Sequence, residues 1–219
     1  MTDIIQPIRL YDLGNTLLKM GHADYVFARD TQLRASYEQG DIDANLQYEL
    51  LLEEGLQRGG VRLTVGEDVE RKLALDQEHG LHSAVFSTCL RRAVHTALEQ
   101  TRLLPYVQAG IFSTFDYNSQ NAADAKKTAA TKMPEGFKAV QQALRGQVIS
   151  YADDKMAELF RAREGLGQEV RLYRIGEDSP ADVSDITVVR TIADIIDQSR
   201  AGLHAMPRPM PERRIRQGV

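Results

Sequence analysis

One cysteine, Cys89, stands in a chain of 219 residues. It excludes a disulfide framework within the chain and suits a reducing compartment, so a cytoplasmic location is expected. No apolar run approaches the length of a membrane span, and the N-terminus lacks the basic-then-apolar pattern of a secretory leader. No membrane partner is expected. Neither sign of charge dominates: the formal balance is −4, too mild for a polyanionic partner, and no nucleic-acid role is expected without a local basic patch. No internal repeat is visible, and His22, His79, His82, His95 and His204 show no metal-ligand spacing. What remains is ample for a packed core, with 42% hydrophobic and 26% charged residues. The length fits one domain with an insertion.

Short apolar runs recur along the chain, and most are followed by helical patterns. Ile8-Arg9-Leu10-Tyr11 ends at the turn formers Asp12-Leu13-Gly14-Asn15. Further runs fall at 83–86, 110–113, 147–151 and 170–173. Phe137, Val140 and Leu144 share one helical face, as do Met156, Leu159 and Phe160, and later Ile192, Ile195 and Ile196. Strands alternating with helices predict an α/β fold, a Rossmann-like three-layer core around a parallel sheet. Residues 21–80 break the rhythm, reading as helical throughout with apolar positions Val26, Leu33, Tyr37, Leu46, Leu50, Leu56, Val69 and Leu73. A crossover needs only one helix, so this block reads as an inserted all-helical cap. The expected division is a core of 1–20 with 81–203, a cap of 21–80, and a mobile Pro/Arg-rich tail of 204–219.

Ligands of open α/β sheets bind at the carboxyl ends of the strands. The polar residues there are Asp12, Ser87-Thr88 and Asp153-Asp154, with Lys132 before the helix that precedes the fourth strand. Two carboxylates and an anionic substrate need a cation to share a small volume, and hard oxygen ligands select magnesium over zinc.

Tyr11-Asp12-Leu13-Gly14-Asn15-Thr16-Leu17-Leu18 resembles the first motif, D-x-D-G-T-L, of the haloacid dehalogenase superfamily of hydrolases. Ser87 matches the second motif. Lys132 with Pro134, Glu135 and Phe137 resembles the lysine motif, and Tyr151-Ala152-Asp153-Asp154 with Glu158 resembles the acidic fourth. Order and spacing hold from residue 8 to about 174. The resemblance implies a phosphatase of a small phosphorylated metabolite, in which Asp12 forms an aspartyl-phosphate. It implies magnesium held by Asp12, the Gly14 carbonyl and Asp153 or Asp154, and phosphoryl oxygens met by Ser87 and Lys132. Asn15, Thr16 and Thr88 would face substrate, and the cap would close over it.

Two departures stand out. Gly14 replaces the second aspartate of the first motif, which protonates the leaving group; general acid–base catalysis of this kind is worth a factor of roughly a hundred or more. Lys132-Met133-Pro134 is shorter than the usual K-P-x-P, so Lys126 or Lys127 could supply the charge. A 2-haloacid dehalogenase also lacks the second aspartate and needs no metal, and a non-catalytic phospho-ligand binder would tolerate Gly14. Simpler readings stand beside these: Asp12-Gly14-Asn15 also suits a plain turn, and Ser87-Thr88 and Asp154 suit helix caps. A thiol phosphatase needs arginine six residues after its cysteine, where this chain has His95; Cys89 reads instead as a small buried hydrophobe.

Overall fold

A computed structural model describes residues 6–39, 41–66, 68–117, 131–176 and 185–195. Six parallel strands form its sheet: β1 (Gln6–Tyr11), β4 (His82–Ser87), β5 (Gly110–Ser113), β6 (Gly146–Asp153), β7 (Arg171–Ile175) and β8 (Ile186–Val189). Their spatial order is β5-β4-β1-β6-β7-β8. Chain order therefore reverses at β1, which lies between β4 and β6. An open α/β sheet has its crevice at such a switch point.

Side-chain alternation divides the strands between two layers. Leu10, Ala84, Phe86, Tyr151 and Leu172 face α7 (Pro134–Ala143) and α8 (Met156–Leu166), meeting Phe137, Val140, Leu159 and Ala162. Tyr11, Val85, Ala152 and Tyr173 face the other way, toward α4 (Val69–Glu78) and α5 (Arg91–Gln100). The three-layer core is thus two apolar interfaces separated by one residue of register.

Between the first two sheet strands lie α1 (His22–Arg29), α2 (Leu33–Glu38) and α3 (Ile42–Gln57). They are flanked by β2 (Leu18–Met20) and β3 (Leu63–Val65), which pair antiparallel. The expectation of helix throughout 21–80 misses β3, a β-branched run between Gly59-Gly60 and Gly66 that finds a partner at the foot of the insertion. Val26, Leu33, Tyr48, Leu52 and Leu56 join the same apolar cluster as α4 and α5.

Several expected faces are rotated. Leu56 is buried as expected, but Leu46 and Leu50 are exposed, because α3 turns Asn45, Tyr48, Glu49 and Leu52 inward instead. Phe160 is exposed while Glu158, Leu159 and Ala162 of α8 are buried. Ile192 and Ile195 are buried, but Ile192–Asp194 is a 3-10 turn closed by a Thr191–Asp194 capping box; Ile196 lies outside the described residues. So do the proposed tail, 204–219, and both Lys126 and Lys127. A short helix α6 (Thr114–Tyr117) follows β5. Among the described residues no helix is long and apolar enough to cross a membrane.

Candidate active site

Asp12 follows β1 directly, and its backbone N–H continues the ladder to Ala152 O at 2.9 Å. The chain then turns tightly: Leu17 and Leu18 donate to Leu13 O at 3.0 and 3.1 Å, and Asn15 donates to Leu18 O at 2.8 Å. Asn15 adopts φ 58°, a left-handed conformation that asparagine tolerates better than most residues. Its side chain donates to Asp154 Oδ2 at 3.0 Å. The turn and the end of β6 are thereby fastened together.

Lys132 is the centre of the constellation. It is only 2% exposed, and Pro134 opens α7 two residues later. Its Nζ donates to Asp12 Oδ1 at 2.5 Å, to Asp153 Oδ2 at 2.7 Å and to the Tyr151 hydroxyl at 2.8 Å. An ammonium has three hydrogens, and these three acceptors use them all. Burial opposes the charge on Lys132, but Asp12 and Asp153 outweigh it and hold the amine above its usual range.

The two aspartates divide one ammonium unequally. Burial pushes Asp12 up to about 7 despite Lys132, with Asp153 adding repulsion. Asp153 is buried too, yet Lys132, Tyr151 and the Lys155 N–H hold it below the ordinary carboxylate range. Asp154 is raised by burial. Asp12, Asp153 and Asp154 each bring an oxygen within 4.8 Å of the others'. Three carboxylates around one ammonium leave negative charge uncompensated, and an all-oxygen donor set fits a hard divalent cation.

The remaining expected residues are placed as follows. Ser87, buried at the end of β4, accepts from the Cys89 N–H at 3.1 Å; Thr88 is half-buried on the same loop. Thr16 is buried beside Asn15. Gly14 bridges to Leu18, and a Cβ built on it would meet nothing nearer than Met20 Cε at 3.8 Å. Asp154 does not cap α8, whose N-cap is Lys155, because its carboxylate is turned to Asn15. Cys89 is buried, as a small hydrophobe would be. His22 directs Nδ1 to Met20 O at 2.7 Å and sets its ring edge-on to Tyr48. A cavity of about 780 Å³ borders the Asn15–Asp154 pair, with Lys19, Thr64, Arg190 and Thr191 in its wall.

Two site neighbours were given no role by the sequence reading. Tyr151 is two residues before Asp153 on a strand, which puts both on one face; that spacing was the available signal. Glu49 of α3 accepts from the Leu90 N–H at 3.2 Å, just before α5, and burial pushes it up to about 7. Nothing local marks Glu49, since its partner is 41 residues away.

The architecture is a fold shared with solved haloacid dehalogenases and HAD-superfamily hydrolases. An L-2-haloacid dehalogenase from Xanthobacter autotrophicus, solved with chloropropionic acid covalently bound, is 14% identical, with a TM-score of 0.56 over 93% of this chain and 100% of that one. A HAD-superfamily hydrolase from Ehrlichia chaffeensis is 16% identical, with a TM-score of 0.53 over 88% and 96%. A candidate β-phosphoglucomutase from Thermotoga maritima is 10% identical, with a TM-score of 0.53 over 84% and 94%. No family model and no curated protein matches the chain.

Proposed function

We propose that the protein is a magnesium-dependent phosphatase of a small phosphorylated metabolite, with Asp12 as its nucleophile. The observation that supports this reading above others is the cluster of three carboxylates, Asp12, Asp153 and Asp154, whose oxygens lie within 4.8 Å of one another. In the first step an Asp12 oxygen attacks phosphorus, the ester P–O bond breaks, and an aspartyl-phosphate forms. Gly14 offers no proton, so the departing oxygen takes one from solvent; sugar 1-phosphates and acyl phosphates, whose leaving groups need least help, suit such a site. Water then attacks phosphorus, the bond to Asp12 breaks, and inorganic phosphate leaves. Lys132 acts as counter-charge throughout, trading one of its three acceptors for a phosphoryl oxygen. Ser87 and Thr88 flank the same sheet end and meet the other oxygens, while Asn15 and Thr16 shape the entrance. Magnesium, held by Asp12, the Gly14 carbonyl and Asp153 or Asp154, would offset the charge of the phosphoryl group.

The direct test is hydrolysis of an activated aryl phosphate, with and without magnesium, by wild type and Asp12→Asn. The reading expects metal-dependent turnover that the variant loses. Undiminished activity in chelator, or in the variant, would end it.

One observation favours a second reading. Lys132 already offsets part of the charge on Asp12 and Asp153, as a 2-haloacid dehalogenase would need, since that reaction uses no metal. Asp12 would then displace halide from carbon, and water would cleave the resulting ester. Chloride release from 2-chloropropionate in chelator separates this reading from the first.

A further inference from the structure

Tyr151 is a fully buried phenol inside the acidic cluster. Its hydroxyl donates to Asp153 Oδ2 and accepts from Lys132 Nζ. Asp153 Oδ2 therefore receives two donors, Lys132 and Tyr151, while its Oδ1 receives the Lys155 N–H at 2.8 Å. The ring packs edge-to-face with Phe137, with centroids 5.0 Å apart, inside a close-packed layer. Every donor on a carboxylate oxygen withdraws charge that a cation would otherwise share.

We infer that Tyr151 is a positioning residue that locks Asp153 to Lys132, lowering this carboxylate's affinity for a divalent cation and shifting the larger share of binding to Asp12 and Asp154. The inference rests on the metal-dependent reading above and adds what one side chain does to it. Two effects oppose each other. A hydrogen bond that orients a metal ligand ordinarily helps binding, and its loss costs affinity. Here orientation survives without Tyr151, because Lys132 and the Lys155 N–H still hold one Asp153 oxygen each. Competition for Oδ2 is the effect left over. Nothing in the sequence motif demands a phenol at this place; an aliphatic side chain would fill the same face of β6 without touching Asp153.

The test is calorimetric titration of Mn²⁺ into full-length wild type, Tyr151→Phe, Phe137→Leu and Asp12→Asn at one pH. Tyr151→Phe keeps the ring and removes only the hydroxyl, and is expected to bind Mn²⁺ roughly three- to tenfold more tightly, a fraction of a charged hydrogen bond. Phe137→Leu, which loosens the same ring but leaves the hydroxyl, is expected to show no gain. Damage to the fold weakens binding, so a gain is not a structural artefact. Equal or weaker binding by Tyr151→Phe, with wild type binding and Asp12→Asn impaired, overturns the inference and leaves the metal-dependent reading standing. Absence of Mn²⁺ binding in both wild type and Tyr151→Phe overturns both.

Discussion

At the scale of single residues, Gly14 is where sequence and geometry speak most directly to each other. It sits two positions after Asp12, outside the left-handed region, and a Cβ built on it would meet only Met20 Cε, at 3.8 Å. A Cβ can therefore stand there in ordinary contact with Met20. Under the phosphatase reading, Gly14→Asp supplies the missing acid and is expected to raise kcat on a phosphomonoester with a poor leaving group by roughly tenfold or more. A smaller gain is expected on an activated aryl phosphate, which needs less proton donation; equal gains on both would contradict the assignment of an acid role. Glu49 gives a prediction of another kind. Burial raises its carboxyl from 4.5 to about 7, so the folded state binds its proton more tightly than the unfolded chain does. Stability is then lost as pH rises from about 4.5 through about 7, by at most roughly 3 kcal/mol. Glu49→Gln keeps an acceptor for the Leu90 N–H and carries no charge. It is expected to be the more stable protein at pH 8 in urea denaturation, with the difference vanishing near pH 4.5.

Elements show what a sequence does and does not disclose. Asp12, Lys132 and Asp153 were legible because strand ends and helix starts bring their residues to one rim, whatever the details of packing. The faces of α3 and α8 were not: Leu46, Leu50 and Phe160 fit an apolar stripe, yet the buried stripe includes Asn45, Glu49 and Glu158, whose polar ends find partners or lie near charge. The run Ile186-Thr187-Val188-Val189 carries a strand signal, but it forms β8 only by pairing with β7 at the sheet edge. A close approach of α7 and α8 was equally hidden. A Cβ on Gly165 would lie 2.5 Å from both Phe137 Cβ and Pro134 O. Gly165→Ala gains about 1 kcal/mol of helix propensity and incurs overpacking of about 1–3 kcal/mol. Net loss of stability is expected from thermal melting. Because Pro134 opens the helix just after Lys132, turnover is expected to fall as well; a stabilised, fully active variant would show that the two helices separate freely.

For the molecule as a whole, the switch point at β1 sets where chemistry can occur, and a buried ionic knot on the same strand fixes how α4 meets it. Asp76 of α4 is completely buried. It accepts from Lys72 Nζ at 2.8 Å and from the Tyr11 hydroxyl at 3.1 Å, and lies 3.4 Å from Arg9 Nε. Burial and the Asp76 charge hold Tyr11 well above its usual range, so it stays a donor. One carboxylate thus serves Lys72 of its own helix and two groups of β1, the Arg9 guanidinium and the Tyr11 phenol, on the strand that leads into Asp12. Removing it leaves the cations in a low-dielectric interior without the partner they share, a change that costs about 3–5 kcal/mol in comparable buried pairs. Asp76→Ala is therefore expected to lower the urea midpoint strongly. Asp12→Asn provides the contrast one residue beyond Tyr11. It removes charge from a site with carboxylates in excess, and is expected to abolish turnover while leaving the midpoint equal or higher. Opposite movements of stability and activity in the two variants separate the charge that holds the fold from the charge that does the chemistry. A destabilised Asp12→Asn would mean instead that the site's ion pairs are part of what keeps the sheet together.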